Sequence, residues 1–268
     1  MLPMMLMMTA AFAQEVAFEE TNKAIEEAEA PEADLSAELG GAMTTGNTDF
    51  WTVKGTVTGS YRWQMNKLGM SAMGLTGRNR PDVDGDGILN NGERDLDRVK
   101  NAQKFDGGLR YDRFLGESSS LYAMSSAMHD YFAGVQLRTN EQVGYSRNLL
   151  KAENTSLLVE LGAGVQQEWQ ILEDPAAEDF SNVFQARALI AFSHTFNDAV
   201  KFTESVEAYE NVLDPADFRA VNRAALTMQL SENLALKLSN DLYWDNTPVD
   251  GFQKLDQTTM LSVVATIL

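Results

Sequence analysis

The residues of this sequence best suited to hold a ligand lie between Pro81 and Asp95, in "PDVDGDGILNNGERD". Asp82, Asp84, Asp86, Gly87 and Glu93 satisfy every fixed position of D-x-[DN]-x-[DN]-G-x5-E, the pattern of a calcium loop. Ca2+ takes about six to eight oxygen ligands at about 2.3–2.6 Å, and alternate residues of a tight turn aim their oxygens at one point. Gly87 permits the bend, Ile88 stands where a backbone carbonyl binds, and Asn90 stands where a ligand acts through water. Glu93 closes the cage with two oxygens. The predicted metal ligands are therefore Asp82, Asp84, Asp86, Ile88, Asn90 and Glu93, and the predicted ion is a structural Ca2+. The competing reading is a solvated acidic turn, because "DGDG" is also ordinary turn chemistry. Flanking helices are not evident. "GERDLDRVKNAQK" offers a single helical turn, so a regulatory helix–loop–helix is not expected.

Little else could do chemistry. Cysteine is absent, which removes disulfides, thiolate metal sites and thiol nucleophiles and fits an exported chain. Of the two histidines, His129 lies in "MHDYF" beside Asp130, with Ser125 and Ser126 nearby. A nucleophile and its base must meet within hydrogen-bond reach, and residues three or four apart on one strand do not. His194 falls between Phe192 and Phe196 on an apolar face near a tight turn, where it reads as structural. No catalytic set emerges, and the chain is not expected to be an enzyme.

The elements that would carry the loop follow from a hydrophobic period of two. In "FWTVKGTVTGSYRW", Trp51, Val53, Val57, Tyr61 and Trp63 fall on one face and Thr52, Lys54, Thr56, Thr58, Ser60 and Arg62 on the other. "SLLVELGAGVQQEW", "VFQARALIAFSHTF" and "LALKLSNDLYW" repeat the alternation. Mid-strand charges on the wet face include Glu38, Lys54, Arg62, Asp106, Arg110, Asp112, Glu160, Arg187, Glu207, Arg219, Arg223, Lys237 and Asp241. Such segments, of about ten residues or more, outrun ordinary globular strands and match tilted membrane-spanning ones. Aromatics recur near segment ends, as an interfacial girdle requires. About twelve strands are expected, starting near Asp34, Phe50, Asn66, Gln103, Ser119, Leu137, Thr155, Phe180, Val200, Phe218, Leu234 and Leu255. Tight connections ("QMNK", "GESS", "KAEN", "FNDA", "SEN") alternate with longer ones, the arrangement of membrane barrels, and the cation loop falls with the long set.

Composition agrees. The 268 residues suit one β-barrel domain, and 44% of them are hydrophobic. A formal net charge of −18 argues against a nucleic-acid partner. "MLPMMLMMTAAFAQE" ends its apolar run in Ala11-Phe12-Ala13, a cleavage signal before Gln14. Residues 1–13 read as a signal peptide whose basic n-region is missing, which suggests a start upstream of Met1. Residues 14–33 read as an acidic periplasmic linker, and 34–268 as the barrel, with the Ca-binding loop at 82–93 inserted.

The chain resembles the YdiY-like family of salt-induced outer membrane proteins, a family of unknown function. The residues that carry the resemblance are "TTGNTD", "GGLRYDRFLGE", "LYAMSSAMHDYFAG", "VGYSRNLL", "LVELGAGV" and "ENLALKLSNDLYWDNTPVDGFQK". The resemblance implies an outer-membrane β-barrel but supplies no catalytic residues. This chain departs from it in ending on Leu268, where an aromatic is usual, and in carrying the cation motif.

The expectation is thus an all-β, transmembrane, antiparallel up-and-down barrel in the outer membrane of a Gram-negative bacterium. Its expected role is envelope structure or narrow small-solute passage. Its expected partners are outer-membrane lipid and lipopolysaccharide, the barrel-assembly machinery and small solutes. The alternatives are a soluble secreted β-barrel that binds a small ligand and an outer-membrane lipid hydrolase.

Overall fold

The structure is a computed structural model and describes residues 31–44, 49–84, 91–171, 180–247 and 254–267. The expected signal peptide and nearly all of the expected linker lie outside the described residues. The strands are β1 (Glu32–Thr44), β2 (Phe50–Trp63), β3 (Asn66–Asn79), β4 (Val99–Gly116), β5 (Ser119–Asp130) and β6 (Val135–Lys151), continued by β7 (Thr155–Gln170), β8 (Phe180–Asn197), β9 (Val200–Asn211), β10 (Phe218–Ser231), β11 (Leu234–Asp245) and β12 (Leu255–Thr266). A single helical turn, α1 (Asn91–Arg94), interrupts the β3–β4 connection.

Each strand pairs antiparallel with its sequence neighbours, and β1 closes on β12 from Ser36↔Thr266 to Gly41↔Leu261. Closure matters because an open sheet edge leaves backbone donors and acceptors unpaired, which hydrocarbon does not tolerate. Strands of 12 to 18 residues exceed the roughly 9–11 needed to cross a membrane, so their ends project beyond it. Nine strands begin where the alternation places them. The exceptions begin early, at Glu32, Val99 and Val135. The residues added to β4, "VKNA", carry polar groups on both faces and so give no period-two signal.

One end of the barrel holds the tight turns and the two ends of the sheet's chain; the other holds the long connections. The two-residue turn Gln64–Met65 places Gln64 at φ 50, the left-handed geometry that lets a short hairpin follow strand twist. At the turn end, Tyr61 stacks on Trp63 at 5.6 Å and Trp63 meets Tyr111 at 6.4 Å. At the loop end, Trp169 and Phe180 lie 5.0 Å apart.

The burial is inverted relative to a water-soluble barrel. Val57 is 46% exposed and Leu161 68%, whereas Arg110 is 2% exposed and Glu207 0%. Among the described residues, the buried apolar clusters are small: Met73, Leu75 and Met260; Leu158, Leu189 and Ala191; Tyr122 and Met124. The exposed stripe and the polar interior are what a lipid-facing barrel requires. They run against a soluble secreted barrel, which would expose dozens of large apolar side chains to water, each forgoing the roughly 1.5–3 kcal/mol that full burial contributes.

Candidate functional site

The lumen is divided between a filled wall and a cavity. The filled wall is built from wet-face residues that the alternation of β4 to β10 turns inward. Arg110 donates from Nε to Asp112 Oδ2 at 2.8 Å and from Nη2 to Glu160 Oε1 at 2.7 Å. Glu160 Oε2 accepts from Arg187 Nη1 at 2.7 Å, and Arg187 Nε donates to Glu207 Oε1 at 2.5 Å. Glu207 Oε2 then reaches Arg223 Nη1 at 3.4 Å. The ladder Asp112–Arg110–Glu160–Arg187–Glu207–Arg223 alternates in sign, with three carboxylates and three guanidiniums. Buried charges persist only when paired and hydrogen-bonded, and this arrangement meets that condition across β4, β7, β8, β9 and β10.

Tyr122 of β5 underlies the ladder. Its ring centroid lies 4.4 Å from the Arg110 Cζ and 5.5 Å from that of Arg187, and its hydroxyl accepts from Arg187 Nη1 at 2.8 Å. The ring lies across β6 and β7, where Gly144 and Gly162 stand in register beside it. A Cβ on either would fall within 2.5 Å of the Tyr122 hydroxyl oxygen. The two glycines therefore form a trough for the ring. Closer to the loop end, Arg138 donates to Glu168 at 2.5 Å and Lys104 faces Asp130 at 4.0 Å.

The cavity, of about 370 Å3, occupies the other side, against β1, β2 and β8 to β12. It extends from the β8–β9 turn at Asn197–Ala199 to mid-barrel residues such as Lys54 and Asp241. One rung of strand pairing crosses it: Lys104, Leu75, Lys54, Gly40, Ser262, Lys237, Thr227 and Lys201 follow one another in register from β4 around to β9. Lys237 donates to Glu38 at 2.9 Å. Sequence reading placed Glu38, Lys54, Arg223, Lys237 and Asp241 on the wet face. It passed over Lys67, Lys104, Tyr122, Asp130, Arg138 and Lys201. Strand parity was the available signal, since Lys104 is two residues from Asp106 and Lys201 two from Thr203.

The cation loop stands at the loop end. Of its six predicted ligands, Asp82, Asp84 and Glu93 are described, while Asp86, Ile88 and Asn90 lie outside the described residues. The described three converge, with one carboxylate oxygen of each within 4.8 Å of the others. Asp82 is 7% exposed and Glu93 4%. Glu93, carried by α1, folds back so that its Oε1 accepts from the Val83 amide at 2.5 Å and the Asp84 amide at 3.3 Å. An all-oxygen set on a tight bend suits a hard cation such as Ca2+.

A clamp not anticipated from sequence ties this loop to the β1–β2 connection. Asp49 accepts from Arg80 Nε at 2.7 Å and from Arg98 Nε and Nη2 at 3.0 and 2.9 Å. Arg80 also donates to the carbonyls of Leu96, at 2.6 Å, and Arg94. The Arg80 hydrogen bond, reinforced by Arg98, holds the Asp49 carboxyl below its usual value of 3.8 against a smaller opposing effect of desolvation.

The histidines stand apart from the lumen. His129 faces outward, with Nδ1 within 2.8 Å of the Gln136 carbonyl, while Ser126 is buried on the inward face of the same strand. His194 lies 4.7 Å edge-on from Phe196 and bonds Thr155 Oγ1 at 2.8 Å, as a structural residue near a turn would.

No curated protein matches the chain in sequence. Among solved structures, the NanC porin is similar at 12% identity with a TM-score of 0.54, covering 87% of this chain and 100% of that one. An outer membrane channel from Pseudomonas putida F1, COG4313, has 10% identity, a TM-score of 0.49, and covers 90% and 97%. The KdgM porin has 8% identity, a TM-score of 0.47, and covers 88% and 100%. At such identity the likeness is one of fold: an outer-membrane, porin-like barrel. The family described as "Protein of unknown function, DUF481" matches residues 37–267, and the chain belongs to it.

Proposed function

We propose that the protein is a Gram-negative outer-membrane barrel that allows narrow passage of small solutes. The observation that carries this reading is the 370 Å3 cavity inside a barrel whose outer face is apolar. A twelve-strand barrel falls between small filled barrels and wide aqueous porins, so a half-filled lumen fits a restricted path. The segment order supports kinship with the YdiY-like salt-induced proteins. In this reading the turn end faces the periplasm and the loop end the exterior, following the rule of short periplasmic turns. Outer-membrane lipid and lipopolysaccharide meet the apolar stripe, and the barrel-assembly machinery inserts the chain. Single-channel recording in a planar bilayer tests the reading: stepwise conductance supports it, and an electrically silent, correctly folded barrel defeats it.

The second reading, a purely envelope-structural barrel, draws on the Arg110–Glu160–Arg187 ladder, which fills one wall as a plug would. A silent barrel would favour it. In either case we propose that Asp82, Asp84, Asp86, Ile88, Asn90 and Glu93 hold a structural Ca2+ that stiffens the outer loop. The convergence of Asp82, Asp84 and Glu93 supports this. Extracellular calcium modules bind at about 10⁻⁴–10⁻³ M. Calorimetry should register calcium binding in that range, lost in Asp84→Ala; absence of calcium heat in the wild type ends this part of the proposal.

A further inference from the structure

The cavity has more basic than acidic chemistry. Lys54, Lys201, Arg223 and Lys237 line it, against Glu38, Asp198 and Asp241. Glu38 is engaged by Lys237, and Arg223 meets Glu207 and stands in register with Asp241 across the β10–β11 pair. Among the described residues, Lys54 and Lys201 make no hydrogen bond and no ion pair within 4.0 Å. They lie on one register rung, five strand steps of twelve apart with Lys237 between them, and bracket the cavity, Lys201 beside the β8–β9 turn and Lys54 toward mid-barrel. The rest of the lining is rich in hydroxyls from both walls, among them Thr56, Thr203 and Thr227.

We infer that this cavity binds a small hydroxylated carboxylate, a solute of sugar-acid size, with its carboxylate drawn to one of the ammonium groups of Lys54 and Lys201 and its hydroxyls to the threonines. Ammonium groups confined in a narrow, low-dielectric lumen concentrate anions. A carboxylate supplies the acceptors that Lys54 and Lys201 lack, and such charge-assisted bonds are the strong ones. A neutral sugar would satisfy the hydroxyls and leave Lys54 and Lys201 without a hydrogen-bonded anion. A metal cation is disfavoured because Glu38 is engaged by Lys237 and Asp241 stands in register with Arg223. The inference rests on the pore reading only in requiring that solvent reach the cavity.

The test uses the full-length barrel folded in detergent, with sodium glucuronate as probe and glucose and inorganic phosphate as comparators, followed by calorimetry. Glucuronate is expected to bind at least about tenfold more tightly than either comparator. The double substitution Lys54→Gln/Lys201→Gln should weaken it by about tenfold or more, the scale of one lost charge-assisted bond. Lys54→Arg/Lys201→Arg should retain binding, and heat-modifiable migration confirms that each variant is folded. Equal binding of glucose overturns the anionic part, equal binding of phosphate overturns the hydroxylated part, and unchanged affinity in the Gln variant overturns the site. Glucuronate binding without conductance defeats the pore reading and leaves this inference standing; conductance without glucuronate binding does the reverse.

Discussion

Glu160 is the residue on which the lumen's filled wall turns, because it bridges two guanidiniums: Oε1 accepts from Arg110 and Oε2 from both Arg110 and Arg187. Removing one partner of a buried ion pair leaves an uncompensated charge at a cost of about 3–5 kcal/mol. Glu160→Gln is therefore expected to lower the temperature at which the barrel loses its compact migration in gel electrophoresis. A conservative outward change such as Val143→Ile should leave it unmoved. A second residue-scale prediction concerns pH. Asp49 has its folded-state pKa depressed below 3.8 by Arg80 and Arg98, so the clamp contributes stability above that value and loses it only as pH falls through the lower, folded value. The protection of the 94–98 amides from hydrogen exchange, taken relative to the intrinsic rate at each pH from about pH 6 to about pH 2, should hold until below 3.8 and then fall. In Asp49→Asn the protection should be lower throughout and lack that transition.

At the scale of the element, β5, β6 and β7 are locked by shape as well as by backbone pairing. Tyr122 fits the trough made by Gly144 and Gly162 only because both lack a Cβ. Overpacking a filled site costs about 1–3 kcal/mol, and Gly162→Ala should cost that much in reversible urea unfolding. In a Tyr122→Phe background, which removes the oxygen 2.3 Å from the added methyl, the cost should shrink. Gly55→Ala is the control, since nothing lies within 4 Å of its added Cβ. The strands themselves were legible from sequence, because alternation that separates Val57 and Tyr61 from Thr56 and Arg62 has one structural meaning. The trough was not. Glycine on an inward position reads only as a weak strand residue, and parity tells that Tyr122 points inward without telling that its ring lies across two neighbouring strands.

For the whole molecule, the decisive property is which solvent meets the apolar stripe. Leu161 lies outward at mid-strand and is 68% exposed. Leu161→Arg is expected to destabilise the lipid-embedded barrel by about 2–4 kcal/mol, measured by unfolding from bilayers. The same change on a water-facing strand would be nearly neutral. A neutral outcome would overturn the membrane assignment and, with it, the assignment of the two ends to periplasm and exterior.

The sequence by itself determined the strand count, the two faces of each strand, the placement of the long connections at one end, and the cation loop's pattern. Each of these is a local property, fixed by a period of two or by spacing within about a dozen residues. Three other features belong to the closed barrel: the pairing of Arg110 with Glu160 across fifty residues, the alignment of Lys54, Lys237 and Lys201 along one rung, and the clamp from Asp49 to Arg80 and Arg98. Register and shear decide which inward side chains become neighbours. A one-strand change in pairing would leave every alternation intact while giving each charge a different partner, so tertiary structure alone could divide the lumen into a neutralised wall and a basic cavity.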